Sequence, residues 1–249
     1  MDSHCFDISQ SENDAMKTFI IISVFVLGAR ASPSLTTCYE DPNLNGYYVT
    51  FDNYAPDLYS YNFDDTIASV HQTGMWIYYE NYQYNLSPGK AYFVHGIGVT
   101  VNFPSEYRDI TSSLRFVGSL EYLNADTITF YEGNSFTAAE FFAVGDNSNF
   151  GQMTGRISSL IVTGKSYWTI FSGEGYTGDR LCVGPETDHD VGPNGEVLDL
   201  GIYPAMTSLG IPDNSIKSVR KGCWSGRKIQ APKMKVDGRR ENGAWGRLF

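Results

Sequence analysis

Short apolar runs bounded by turn residues recur along this chain, as in TITFYE, EFFAVG, SLIVTG and YWTIF. They are rich in β-branched and aromatic side chains, the composition of half-buried strands. After residue 31 no stretch keeps apolar residues at i, i+3, i+4 and i+7 for more than about two turns, so no long amphipathic helix is expected. Parallel βαβ units need helical crossovers, and none is visible. An antiparallel, all-β chain is the reading that remains.

The strand pattern repeats. Tyr39 stands seven residues before Gly46, and Phe171 seven before Gly178; Tyr79 and Tyr131 carry Leu86 and Ala138 at the same offset. Steps between these anchors are 40, 52 and 40 residues. Each anchor is followed by a serine in a similar setting: Ser69, Ser113, Ser159 and Ser218. Four units in two pairs indicate internal duplication. Domains are expected over 34–118 and 127–222, with 119–126 as linker. Leu86 and Ala138 in place of glycine predict re-routed second and third hairpins, with Gly89 serving the second. The long fourth unit is expected to carry its excess in a polar surface loop, Gly184–Asp199.

Composition agrees, with 17 Tyr, 15 Phe and 25 Gly in 249 residues. Residues 1–31 read as a leader. Lys17 precedes an apolar run from Phe19 to Ala29, and small residues at 29 and 31 supply a cleavage site, a secretory signal pattern over about 16–31. The run is short for a permanent membrane span, and Met16 is the natural start after a polar extension. A secreted, extracellular chain follows as the expectation. In an oxidising compartment Cys38, Cys182 and Cys223 allow one disulfide and one leftover thiol. Cys182–Cys223 is the favoured pair because both lie in one half, although sequence does not show whether their Cα atoms approach.

Charge is uneven. Residues 32–216 hold 6 Lys and Arg against 22 Asp and Glu, and residues 217–249 hold 10 against 2. An acidic body disfavours nucleic acid and tolerates cations. The basic end, 223–249, lacks apolar periodicity and is expected to be disordered. It is a candidate contact for anionic surfaces, or a segment trimmed at Arg239-Arg240.

The stretch SVHQTGMWIYYENYQY (Ser69–Tyr84) resembles the junction between successive Greek-key motifs of the βγ-crystallin superfamily, where a serine closes one motif and Trp-x-x-Tyr-Glu opens the next. SLIVTGKSYWTIFSGEGYTGDRL is similar to the second such junction, and the likeness runs from Leu35 to Gly222. It implies two Greek-key β-sandwich domains and a non-enzymatic structural or calcium-binding role. It also implies calcium loops at DDTIAS (64–69), RDITSS (108–113), TGRISS (154–159) and DNSIKS (213–218). In this family the second loop residue and the next carbonyl serve one ion, and the fifth-position hydroxyl reaches across from the partner motif. Asp65 and Thr66 with Ser112 then form one intact set, and Asn214 and Ser215 with Ser158 another. The companion sets fail at Ala68 and at Gly155 with Lys217. About one weak calcium site per domain is implied, with a Kd on the order of 10 µM to 1 mM.

Other chemistry has little support. Asp188-His189-Asp190 falls in the inserted loop and reads as solvated. No GxSxG, HExxH or phosphate loop is present, and no Cys/His cluster suits zinc. Asn85-Leu86-Ser87 is a glycosylation sequon followed by Pro88. Tyrosines such as Tyr82 and Tyr84 could stack on sugars, although alternating aromatics in β-proteins are more often core, and recognition of glycans or anionic membrane surfaces through loops or the basic tail is the alternative role. A monomer or weak dimer is expected.

Overall fold

The computed structural model describes residues 33–185, 190–230 and 244–248, with only the backbone path for Gln230 and 244–248. The leader, including the signal pattern, lies outside them. Strands β1 (Leu35–Asp41) and β2 (Asn45–Phe51) pair antiparallel, and β1 also pairs with β3 (Ser69–Tyr79). The eleven residues of β3 run unbroken from the first motif into the second, with a register shift between Gln72 and Gly74. Strand β4 (Ala91–Asn102) follows it: Val99–Asn102 pair with Ser69–Gln72, and Ala91–Gly96 with Gly74–Tyr79. One long ribbon thus serves both layers of the first sandwich, and β5 (Ser113–Phe116) joins its second half.

In the second sandwich the layers are separate. One has the order β13-β8-β6-β7, from β6 (Thr127–Tyr131), β7 (Glu140–Ala143), β8 (Ser159–Thr163) and β13 (Leu200–Tyr203). The other has the order β14-β9-β10-β15, from β9 (Trp168–Phe171), β10 (Arg180–Gly184), β14 (Ser218–Lys221) and β15 (Lys228–Gln230). A fourth-motif strand, β13, therefore lies in the third motif's sheet. This exchange is the Greek key, and the carboxyl half of β4 makes the same exchange in the first sandwich.

Alternation along β3 explains its nearly continuous apolar run, MWIYY. Trp76 and Tyr78 point into the first core with Phe51, Phe63 and Leu114. Met75, Ile77 and Tyr79 point the other way, into a third cluster with Tyr131, Ile161 and Leu200 of the second sandwich. A strand buried on both faces has no polar side to display. Within that third cluster lies Arg115, 1% exposed. It forms an ion pair with Glu140 at 3.4 Å and donates to the carbonyls of Phe136 (2.7 Å) and Ala138 (3.1 Å) and to the Tyr79 hydroxyl. Its guanidinium carbon is within 5.2 Å of the centres of the Tyr79, Tyr84 and Tyr131 rings. Desolvation favours the neutral form, but Tyr79 and Glu140 outweigh it and hold the guanidinium charged.

Each motif is closed by its serine, and all four are fully buried. Ser69, Ser113, Ser159 and Ser218 each donate at 2.6 Å to a carbonyl of the folded hairpin: Asp41, Asn81, Gly133 and Gly173. Each also accepts at 3.0 Å from an amide three residues beyond that carbonyl: Leu44, Tyr84, Phe136 and Tyr176. The clamped residues are left-handed, with φ of 59°, 61°, 62° and 64°.

Several expectations need correction. The third hairpin is not re-routed: Ala138 takes the glycine conformation, φ 63°, and the Gly133 amide still donates to the Thr137 carbonyl. The second hairpin is altered, as expected, but Gly89 does not take the left-handed glycine conformation. Leu86 is right-handed, and the Asn85 side chain bridges the Asn81 amide (2.8 Å) to the Lys90 carbonyl (2.8 Å). That asparagine is buried, so the sequon is not displayed. The loop after β10 is not simply solvated, since β11 (Asp190–Val191) and β12 (Val197–Leu198) form a hairpin. In it Asp190 meets His95 Nδ1 of the first sandwich at 2.7 Å; Asp188 and His189 lie outside the described residues.

The basic end also departs from expectation where it is described. Cys223 is bonded to Cys182 with Cα atoms 5.4 Å apart, and β15 runs parallel to β10. Strand β16 (Ala244–Leu248) lies antiparallel along Ala91–His95 of β4. Open sheet edges offer unpaired backbone groups that a polar segment can meet without any apolar pattern, which is why composition did not reveal this. The disulfide spans 41 residues, worth about 3–4 kcal/mol by chain entropy. Cys38 is the leftover thiol, and burial pushes its pKa up to about 12.

Three substitutions check this packing. Ala138→Gly should raise stability by about 0.5–1 kcal/mol in urea unfolding, because left-handed strain outweighs the added chain entropy. Ser159→Ala, which leaves the Gly133 carbonyl and Phe136 amide without their partner, should cost roughly 1–3 kcal/mol. Arg115→Ala should cost on the order of 3–5 kcal/mol by leaving Glu140 uncompensated.

Candidate calcium centre

The four loops that precede the clamp serines share one backbone geometry. Their second residues, Asp65, Asp109, Gly155 and Asn214, are left-handed, with φ from 51° to 71°. Each donates its amide across to the partner loop, to the carbonyls of Thr111, Ile67, Ile216 and Ile157 at 3.0–3.1 Å. The fifth residues, Ala68, Ser112, Ser158 and Lys217, donate to the carbonyls of the anchor aromatics Tyr39, Tyr79, Tyr131 and Phe171 at 2.8–2.9 Å. The second residue of one motif therefore faces the fifth residue of its partner.

Both intact sets are brought together. Ser112 Oγ donates to Asp65 Oδ1 at 3.4 Å, and Ser158 Oγ to Asn214 Oδ1 at 3.4 Å. Thr66 and Ser215 turn their hydroxyls onto the carbonyls of Asp64 and Pro212, both at 2.7 Å. These hydroxyls hold the turns, so what the two residues can offer an ion is the carbonyl. The companion sets are as poor as expected. Asp109 faces Ala68, which has no side-chain oxygen. A Cβ on Gly155 would stand 3.8 Å from Lys217 Cε.

At the first set Asp64, Asp65, Glu80, Tyr82, Ile110 and Ser112 line a shallow pocket of 320 Å³. Two of its carboxylates, Asp64 and Glu80, were not among the residues expected at the site. Glu80 had a signal in the Trp-x-x-Tyr-Glu junction, and Asp64 opens its loop. Asp64 Oδ2 accepts from the Tyr82 hydroxyl at 3.0 Å, while Oδ1 is buried with no hydrogen-bond partner. The Asp65 carboxyl is pushed up by desolvation and then by the Asp64 charge, against the Ser112 hydrogen bond. Crowded acidic oxygens with an unsatisfied buried member suit a hard cation. The residues fit calcium.

The second set lacks this crowding, because Glu132, the counterpart of Glu80, is paired with Arg156. Among the described residues no three His, Cys, Asp or Glu side chains cluster as a metal site of their own. An ion at the first set would have to draw on hydroxyl and carbonyl oxygens as well.

No family model matches the chain, and no curated protein matches its sequence. Solved structures do. Geodin, a βγ-crystallin from Geodia cydonium, aligns with a TM-score of 0.57 at 19% identity, over 76% of this chain and 99% of geodin. A βγ-crystallin from an archaeon aligns at 30% identity over 39% of this chain and 99% of its own, with a TM-score of 0.32. Protein S, solved in complex with calcium, covers 76% of this chain and 99% of its own at 18% identity and a TM-score of 0.27. The geodin alignment reaches beyond either sandwich alone. Two Greek-key sandwiches built from clamped motif pairs define the class. The chain has the fold of the βγ-crystallin superfamily.

Asp65 offers a test without any metal. Desolvation and the Asp64 charge hold its folded pKa above the usual aspartate value, so its charge opposes folding at neutral pH and the opposition fades as pH falls into the ordinary carboxylate range. Calcium-free Asp65→Asn, which tolerates the left-handed backbone, should melt above the wild type at pH 7. The gap should close on acidification, followed by scanning calorimetry from pH 7 to 4.

Proposed function

We propose that this is a secreted, non-enzymatic βγ-crystallin-like protein that binds calcium weakly at the pocket formed by Asp64, Asp65, Glu80 and Ser112, with the Thr66 carbonyl as a further ligand. The carrying observation is the buried, unpartnered Asp64 oxygen in a pocket that already holds Asp65, Glu80 and the Ser112 hydroxyl. Bound there, calcium would link the second loop residue of one motif, Asp65, to the fifth of its partner, Ser112, and stiffen the first sandwich. Its role is structural: the ion would join two motifs that otherwise meet through carboxylates repelling one another. A disulfide between Cys182 and Cys223 supports an oxidising compartment, in keeping with the signal pattern at 16–31. Glycan recognition is the second reading. Tyr47, Tyr48, Tyr59, Tyr61 and Tyr82 are all exposed within the first sandwich, and an array of neutral glycans probes it.

Calcium should raise the melting temperature, since a ligand of the native state adds RT ln(1 + [L]/Kd). At ~5 mM calcium and a Kd of about 100 µM that is about 2.3 kcal/mol. Asp65→Ala and Ser112→Ala should each remove most of the shift, and Asp109→Ala should leave it. Equal losses at Asp65 and Asp109, measured by calorimetric titration, would refute the cross-paired site.

A further inference from the structure

The two sandwiches place different residues at one equivalent position. Ser112 and Ser158 correspond, because each donates its amide to the carbonyl of its motif's anchor, Tyr79 or Tyr131. The residues that follow those anchors are Glu80 and Glu132, and both are glutamates. Two residues before the serines stand Ile110 and Arg156. Ile110 lines the pocket of the first site beside Glu80 and Asp65. Arg156 instead sends Nη2 to Glu132 Oε1, while Nη1 reaches the Gln152 carbonyl at 3.5 Å. Asp213, the counterpart of Asp64, accepts from the Asn214 side-chain amide at 3.2 Å. Where the first site leaves the buried Asp64 Oδ1 without a partner and puts an isoleucine beside its glutamate, the second puts a cationic side chain on its glutamate.

We propose that Arg156 is a built-in cation that takes the place of calcium in the second sandwich, so that the chain carries one calcium site, in the first. The Arg156 guanidinium pairs with Glu132 and would repel a divalent ion approaching Ser158 and Asn214. The second sandwich is thereby fixed in a calcium-independent state, and the first alone responds to the ion. Replacing Asp65 by the neutral Asn214 in the second loop is consistent with a site that no longer has to neutralise two charges. The inference rests on the calcium reading of the first site, and a reciprocal exchange separates the two.

In the full-length protein, calcium titration calorimetry should count one site in the wild type, two in Arg156→Ile and none in Ile110→Arg. Arg156→Ile should also melt lower than the wild type without calcium and recover in 5 mM calcium. Arg156→Gln, which keeps the bulk without the charge, serves where the isoleucine variant does not fold, and it too should gain a site. A folded Arg156 variant that still binds one calcium overturns the inference, as does a wild type that already binds two. A wild type that binds none, beside an Arg156 variant that binds one, sinks the first-site reading and upholds the role of Arg156. None in either overturns both.

Discussion

Everything in this molecule depends on a serine that holds a folded hairpin closed. The hairpin after each anchor aromatic bends back over its own sheet through left-handed residues, a conformation that L side chains adopt at a cost of about 1–2 kcal/mol each. A buried hydroxyl that both donates and accepts compensates, joining a carbonyl to an amide three residues on. Because the serine opens the strand that leads into the next motif, closing one hairpin also sets where that strand starts. The loop just before the serine is placed in the same step. Its left-handed second residue and the hydroxyl of the partner's fifth position then face each other.

The two sandwiches use this unit differently. In the first, β3 and β4 run through both layers as one ribbon, so its two motifs are continuous. In the second, Gly164–Tyr167 separate β8 from β9, and the layers form separate sheets. The sandwiches meet through the odd-numbered face of β3, with Arg115 at the centre of that contact. A charge so deeply buried persists only with several partners. Here they come from both halves, Tyr79 from one and Phe136, Ala138 and Glu140 from the other. That makes Arg115 a criterion of correct assembly, since neither half alone satisfies it.

Internal duplication supplies four loops of one geometry, and divergence has given them four fates. One gathers three carboxylates with one oxygen left unsatisfied, one faces an alanine, one is faced by a lysine, and one meets an arginine on its glutamate. Backbone geometry is nearly constant across all four, so it does not distinguish them. What differs is which side-chain oxygens face the loop and whether the charges around them are already paired.

The repeat, the all-β class and the serine positions were legible along the chain, because each depends on local spacing and residue type. The facing of Asp65 by Ser112 and of Asn214 by Ser158 was implied by the family resemblance, and the sequence favoured Cys182 with Cys223 while only the fold shows their Cα atoms 5.4 Å apart. Other features required the tertiary structure. Arg156 occupies a loop position where side-chain type is variable, and only its reach to Glu132 gives it meaning. Arg115 looks like an ordinary surface arginine until the second sandwich covers it. Asp190 on His95 and β16 on β4 join residues far apart in sequence through polar and backbone groups, which carry no periodic signal. Spacing and residue type determined what each motif would be and which loops keep a ligand set; only the folded contacts decided which charges were satisfied, and therefore which of the two intact sets can accept an ion.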